Sequence, residues 1–91
     1  MLVRWSPEAA DDLERIALHI KQDSPETARR VALKLFEGVG RLRDFPESAR
    51  AGRVEGTREL VYPGLPFLAV YRIRGDAVEI LRILHGRQRW P

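Results

Sequence analysis

The chain has 91 residues, 44% of them hydrophobic and 32% charged, with a net charge of +3, and this composition predicts a single globular domain over residues 1–91. It contains no cysteine, which excludes disulfide bonds and thiolate metal sites and is typical of a reducing cytoplasm. No apolar run approaches the roughly 20 residues that span a bilayer, so we expect a cytoplasmic protein that does not act at a membrane.

The N-terminal half is predicted to be a short strand, Leu2–Trp5, followed by two helices. The Ser-Pro-Glu triplets at residues 6–8 and 24–26 are both typical helix starts. Serine caps free N–H groups, proline fits the first turn, and glutamate suits the positive end of the helix dipole. We expect the first helix to run to about Gln22.

Apolar residues recur at helical spacing in both helices. They are Leu13, Ile16, Ala17 and Ile20 in the first helix, and Ala28, Val31, Ala32, Leu35, Phe36, Val39 and Leu42 in the second. The short connection between the helices predicts an antiparallel hairpin. Gly38 and Gly40 are expected to weaken the end of the second helix, and Phe45 to fill the core where the chain turns.

The C-terminal half is predicted to form a sheet. The polar segment Glu47–Gly56 is expected to be the one long surface loop. Strands are predicted at Thr57–Tyr62, Phe67–Ile73 and Ala77–Leu84, and the last is expected to be central because it is apolar on both faces. The predicted fold is therefore α+β, with an N-terminal strand and an antiparallel helical hairpin packed on one face of a small, mostly antiparallel β-sheet. The other face is expected to be partly open.

Strand alternation assigns side chains to the two faces of this sheet. Phe67, Ala69, Tyr71 and Ile73 are expected to share one face, while Val78, Ile80, Arg82 and Leu84 share a face opposite Leu81 and Ile83. An arginine within an apolar strand needs an anion or an acidic partner. Arg82 is therefore either a phosphate ligand on the open face or the partner of Glu59 or Glu79.

Positive charge is concentrated in the C-terminal half. Residues 1–49 hold eight Lys and Arg against nine acids, whereas residues 50–91 hold eight arginines, no lysine and four acids. The arginine fork binds phosphate and stacks on bases, so the cluster indicates a nucleic-acid surface, although solvated arginines are the alternative. A basic rim is expected from Arg53, Arg58, Arg82 and Arg87.

Further candidates follow the last strand. His85 lies at its end and is either a general acid or base or an ordinary surface histidine. Trp90 either stacks on a base while Arg87 and Arg89 hold phosphates, or folds back to close the core beside Trp5.

The histidines, His19 and His85, are too far apart in sequence to form a metal-ligand pattern, and His19 is interpreted as structural. We expect no metal and no cofactor. The metal-free reaction that histidine and arginine suit is transesterification of RNA. In it a base removes the 2′-hydroxyl proton, arginines stabilise charge on the phosphate, and an acid protonates the leaving 5′-oxygen.

Four short segments follow the helical hairpin in a recognisable order. They are Gly52-Arg53, Thr57–Leu60, Val70–Ile73 and Ile80–Gly86. Together with the strand and hairpin before them, they resemble the RelE/ParE superfamily of toxins from type II toxin–antitoxin modules, which stabilise plasmids. The resemblance covers essentially the full chain and implies a growth-inhibiting toxin that a cognate antitoxin neutralises.

The resemblance leaves the target open. ParE-like members poison DNA gyrase, whereas RelE-like members are metal-free endonucleases that cut mRNA, usually on the ribosome; a third possibility is an inactive member that binds only its antitoxin or nucleic acid. Carried over by position, cleavage falls to Arg58, Arg82, His85 and Arg87, and target binding to Arg53, Arg89 and Trp90. The absence of lysine after Lys34, and of tyrosine after the last strand, favours gyrase.

The resemblance also implies how the antitoxin binds. Antitoxin tails dock as amphipathic helices or added strands across the hairpin and the sheet edge. The expected contacts are Leu13, Ile16, Ile20, Val31 and Leu35. An acidic, partly disordered antitoxin would suit the basic sheet beside them, so a hetero-oligomer is predicted.

Overall fold

In the computed structural model, which describes residues 1–91, two helices pack on one face of a five-stranded sheet. The helices are α1 (Pro7–Lys21) and α2 (Pro25–Gly40), and a 3-10 turn at Arg41–Arg43 follows α2. The strands are β1 (Leu2–Trp5), β2 (Arg50–Ala51), β3 (Arg58–Val61), β4 (Phe67–Arg74) and β5 (Ala77–His85). The α+β prediction is confirmed, and neither helix has the length and apolar character needed to cross a membrane.

The strand order is β1-β5-β4-β3-β2, and only the β1–β5 pair is parallel. β5 therefore has a neighbour on each side, as its two apolar faces predicted. β1 pairs with β5 only from Ala77 to Ile80, because the chain leaves the sheet after Trp5. The remainder of β5 has no strand on that side, and α1 runs along the exposed edge.

Both helices begin where the sequence predicts. The hydroxyl of Ser6 accepts a hydrogen bond from the N–H of Ala9, and that of Ser24 accepts one from the N–H of Thr27. Each cap satisfies an N–H group that has no partner inside its helix. Ser6 also donates its hydroxyl proton to the carbonyl of Leu81, which ties the start of α1 to the edge of β5.

A β-bulge interrupts the pairing of β4 with β5. Val70 lies opposite Arg82, but Tyr71 lies opposite Ile80, so Leu81 is an extra residue with no partner. An inserted residue shifts the alternation of side chains beyond it.

The bulge makes part of the predicted face assignment wrong. Ile83, not Leu84, joins Val78 and Ile80 in the core beneath the helices. Leu84 packs with Leu68 on the opposite face of the sheet. Simple alternation failed here because it assumes a strand without insertions.

The main core lies between the helices and the sheet. Its eleven buried members are Ala9, Val31, Leu35, Val39, Leu42, Tyr62, Ala69, Tyr71, Val78, Ile80 and Ile83. Leu42 of the 3-10 turn closes this core, with 1% of its surface exposed. Phe45 was predicted to do so and is 64% exposed instead, because the 3-10 turn already brings Leu42 inward.

A close contact between Gly38 and Tyr62 joins α2 to the end of β3. A Cβ at position 38 would overlap the Tyr62 ring, so glycine is the residue that fits there. The buried hydroxyl of Tyr62 donates to the carbonyl of Leu35 at 2.6 Å, and burial raises the pKa of Tyr62. Gly38 is thus a packing site as well as a weak point of the helix.

The segment predicted as the one long loop contains a strand. Arg50 and Ala51 pair with Glu59 and Arg58, respectively, and form the outer edge of the sheet. Two residues are too few to produce a detectable pattern of alternation, so this strand was missed.

Candidate functional site

The predicted site residues lie on both faces of the sheet. Paired residues on neighbouring strands share a face. Arg58 pairs with Tyr71, and His85 with Phe67, so both lie on the side of the helices. Trp90 packs on the opposite side, which we call the second face.

Arg82 is bound to α1. Its Nε and Nη2 groups donate to the two carboxylate oxygens of Asp12, at 2.7 and 3.0 Å. Asp12 is 1% exposed. The predicted partners Glu59 and Glu79 are therefore wrong, and the reason is that the edge of β5 beyond β1 lies next to α1 rather than next to an acidic strand residue.

The Asp12 carboxylate also completes the hydrogen bonding of β5. Its Oδ2 atom accepts the N–H of Ile83 at 2.9 Å, in place of the carbonyl that a longer β1 would offer. Burial raises the pKa of Asp12, but the hydrogen bonds from Arg82 and Ile83 outweigh burial and hold the pKa below its ordinary value. The hydrogen bonding to Asp12 raises the pKa of Arg82.

Glu59 and Glu79 bind other arginines. Glu59 is 3% exposed and accepts the Nη2 group of Arg50 and the backbone N–H of Arg53, each at 3.0 Å. Burial raises the pKa of Glu59, but these hydrogen bonds outweigh burial and hold the pKa below its ordinary value. Glu79 pairs with Arg72 and Arg74, and the bond from Arg72 lowers the pKa of Glu79.

Arg58 holds the polar segment before β2. Its Nη1 group donates to the carbonyls of Glu47 and Ala49, at 3.1 and 2.9 Å. The hydroxyl of the neighbouring Tyr71 donates to the carbonyl of Pro46 at 2.7 Å. These contacts fix the segment against the sheet and engage part of the fork that was predicted to bind phosphate.

His85 is exposed at the end of β5. Its ring meets Phe67 edge-on at 5.9 Å, and its Nδ1 atom accepts the backbone N–H of Arg87 at 3.1 Å. Because Nδ1 accepts, the proton of a neutral ring resides on Nε2. His85 lines an open groove of about 330 Å³ with Arg15, Ile16, His19, Ile20 and Phe67. The grouping of His19 with His85 could not be predicted, because it depends on how the end of α1 meets β5.

The candidate cleavage residues do not all converge: Arg87 is adjacent to His85, but Arg58 lies well away from both. Phe67 and Tyr71, the partners of His85 and Arg58, are four residues apart on β4, which is roughly 13 Å along the strand. Two strand spacings add roughly 10 Å across the sheet. Arg82 points to Asp12. A general base and its phosphate ligands need to reach one reacting group within about 3 Å of each, which this separation does not provide.

The tail after β5 folds back onto the second face. Trp90 packs against the cluster of Leu68, Val70 and Leu84, and Arg53 donates from Nη1 to the carbonyl of Gln88 at 3.1 Å. The predicted fold-back of Trp90 occurs, but not beside Trp5. Trp5 stacks on Phe36 at 6.0 Å on the side of the helices.

Arg87 and Arg89 are the exposed cations of the tail. Neither side chain forms an ion pair or a hydrogen bond. No three acidic or histidine side chains of the chain come together in a way that could hold a metal ion.

Two of the predicted antitoxin contacts are inaccessible. Val31 and Leu35 are core residues, 7% and 0% exposed, so the prediction that they meet a partner is wrong. Leu13, Ile16 and Ile20 are half-buried against the core. The apolar residues cover so wide a face of each helix that the sequence alone did not separate buried from exposed positions.

An apolar groove of about 390 Å³ lies on the outer side of the hairpin. It is lined by Trp5, Ala10, Leu13, Glu14, Ala17 and Phe36. Phe36 is 57% exposed, and Leu18 and Leu33 are similarly exposed elsewhere on the helices.

Comparison with known families gives one model that matches nearly the whole chain. Residues 3–90 match the ParE toxin of the type II toxin–antitoxin system parDE.

Two curated relatives are similar over almost their full length. Y4kP of Sinorhizobium fredii, named as a candidate toxin, is 40% identical over 89 residues, which are 98% of this chain and 92% of the relative. Toxin RelE2 of Caulobacter vibrioides is 34% identical over 84 residues, which are 92% of this chain and 93% of the relative.

Solved structures show the same fold. A chain of the chromosomal ParDE system of P. aeruginosa superimposes with a TM-score of 0.83 and 32% identity, covering 91% of this chain and 92% of that one. A conserved hypothetical protein of Helicobacter pylori, 20% identical with a TM-score of 0.53 and 91% coverage of both chains, shares the fold.

Proposed function

The chain belongs to the ParE toxin family of type II toxin–antitoxin systems, and from this premise we propose that it inhibits growth by poisoning DNA gyrase. The match to the ParE family model supports this target. So does the ParDE system to which the superimposed P. aeruginosa chain belongs. Its action on gyrase would take place in the bacterial cytoplasm.

The observation that carries this proposal is the dispersal of the candidate cleavage residues. Arg82 is engaged by Asp12 and Arg58 by loop carbonyls, and His85 lies two strands away from Arg58. A metal-free ribonuclease needs these groups around one phosphate. A protein that acts by binding gyrase has no such requirement.

The proposed partner is an antitoxin that docks in the apolar groove on the outer side of the hairpin. A groove lined by Trp5, Leu13 and Phe36 suits the apolar face of an amphipathic helix.

A second function, cleavage of mRNA, is favoured by one feature of His85. Its Nε2 atom has no protein partner and His85 lines a groove with Arg15, so the ring could exchange a proton with a bound substrate. The relative named RelE2 supports the same alternative.

The test is induction of wild type, His85→Ala and His19→Ala in a bacterial host, with gyrase-trapped DNA breaks and mRNA 5′ ends measured in the same cultures. His19 is the matched control because it lines the same groove. We expect DNA breaks and intact mRNA with all three proteins. New mRNA ends that disappear only in His85→Ala, without DNA breaks, would instead identify a ribonuclease.

A further inference from the structure

The second face carries most of the arginines of the sheet. Arg4 of β1 lies opposite Glu79 of β5, which lies opposite Arg72 of β4. We define the basic face as Arg4, Arg50, Arg53, Arg72 and Arg74. These arginines outnumber their carboxylates, Glu59 and Glu79, by five to two, an excess as large as the +3 net charge of the entire chain.

Glu79 orders two of these arginines without using all their donors. It accepts a hydrogen bond from the Nε group of Arg72 at 2.7 Å and forms an ion pair with the Nε group of Arg74 at 3.3 Å. Their outer Nη groups have no protein partner, and the side chains are 40% and 64% exposed. Asp76, in the turn that follows, adds one carboxylate at the rim.

The spacing of this pair suits a phosphate backbone. Alternate residues of a strand are roughly 6.6–6.8 Å apart. Phosphates of one strand of duplex DNA rise about 3.4 Å along the axis and also turn around it, so neighbouring phosphates are several ångströms apart, within reach of two long arginine side chains. Arg72 and Arg74 can therefore each face a phosphate of the same strand.

The absence of a free aromatic ring on this face argues against unpaired bases as the ligand. Trp90 is half-buried against Leu84, and the most exposed rings, Phe36 and Phe45, belong to α2 and the turn after it. Proteins that bind single strands combine cations with stacking rings. Binding to a duplex backbone needs cations alone.

We propose that the basic face binds the phosphate backbone of duplex DNA without reading its sequence. The inference rests on the proposed function, because a gyrase poison meets its target on duplex DNA. Charge favours binding through this face, since the remaining residues of the chain hold eleven bases and eleven acids and have no net charge.

The test uses full-length protein made by cell-free translation and a fluorescein-labelled 20-base-pair duplex, with anisotropy read between 50 and 200 mM salt. Arg72→Gln with Arg74→Gln should make the negative slope of log K against log salt shallower by about 1.8, since each phosphate contact contributes about 0.9. The matched control, Arg29→Gln with Arg30→Gln, removes the same charge from exposed positions of α2 and should leave the slope unchanged.

A second variant, which should gain binding, distinguishes a specific loss of DNA contacts from misfolding. Glu79→Gln removes the carboxylate from the middle of the basic face and should tighten duplex binding severalfold at 50 mM salt. Equal losses in both double variants, tighter binding of single-stranded RNA, or full displacement of DNA by polyglutamate of matched charge would each overturn the proposal.

The outcome separates this proposal from the proposed function. Duplex binding that depends on Arg72 and Arg74, in a protein that causes no gyrase-trapped breaks, would retain the basic face and refute the gyrase target. Gyrase-trapped breaks that persist unchanged in the Arg72/Arg74 double variant, together with no duplex binding, would do the reverse.

Discussion

Arg82 and Asp12 are 70 residues apart in sequence and form a two-point ion pair that joins β5 to α1. The same carboxylate accepts the N–H of Ile83. One acidic side chain therefore binds both the side chain of Arg82 and the backbone of the next residue in the bulged strand. His85 and the tail follow directly, and their position depends on this contact.

Replacing Asp12 should therefore destabilise the whole domain. Asp12→Asn keeps the shape of the side chain but leaves the half-buried Arg82 without its counter-ion. We expect the free energy of unfolding to fall by about 3 kcal/mol, as when one partner of a buried pair is removed. Urea denaturation measures it. Asp11→Asn is the control, since Asp11 is exposed and unbonded, and an equal loss there would contradict the assignment.

Acid should destabilise the protein through Asp12 and Glu59. The pKa of each is lower in the folded protein than its ordinary value, so each contributes stability above its unfolded pKa that is lost as pH falls through the folded one. Wild-type stability should decline below about pH 4. Urea midpoints between pH 2 and 7 should give a shallower decline for Asp12→Asn, and parallel curves would exclude Asp12 as the cause.

Alanine at the two glycines near the end of α2 should have opposite effects. Gly38→Ala places a methyl group against the Tyr62 ring and should cost about 1–3 kcal/mol of stability. At Gly40 no atom lies within 4 Å of the added Cβ, so Gly40→Ala should gain up to about 1 kcal/mol. Thermal unfolding of both variants decides the matter. If Gly38→Ala is also stabilising, Tyr62 does not pack as described.

Antitoxin neutralisation should depend on Phe36. Phe36→Glu places a charge in the apolar groove and should weaken antitoxin binding at least tenfold by titration calorimetry, while toxicity in cells without antitoxin persists. Leu33→Glu is the control, because Leu33 is 54% exposed on the same helix but does not line the groove. Similar losses in both variants would place the antitoxin elsewhere.

The parts of the fold that the sequence predicted are those determined locally. Ser6 and Ser24 cap their helices because capping involves only residues within one turn. The central position of β5 also followed from its own apolar residues. In each case the deciding contacts are within the segment or come from burial alone.

The parts that escaped prediction depend on distant contacts. The bulge at Leu81 altered the faces of Ile83 and Leu84, and nothing in the strand itself marks it. The partner of Arg82 came from α1, since only the assembled sheet shows that β1 ends early. The geometry of the candidate site could not be predicted for the same reason, because the face of each member depends on strand pairing and on the bulge.

The parallel pairing of β1 with β5 sets when the fold can form during synthesis. β1 is made first but has no partner until residues 77–80 are available. At about 5–20 residues per second this is a delay of roughly 4–15 s, during which the helices can form but the sheet cannot close. A ribosome that stops before residue 77 therefore releases a chain without the finished surface. Such a chain lacks β5, the strand that joins β1 and β4, so the antitoxin has those seconds to be present before a complete toxin exists.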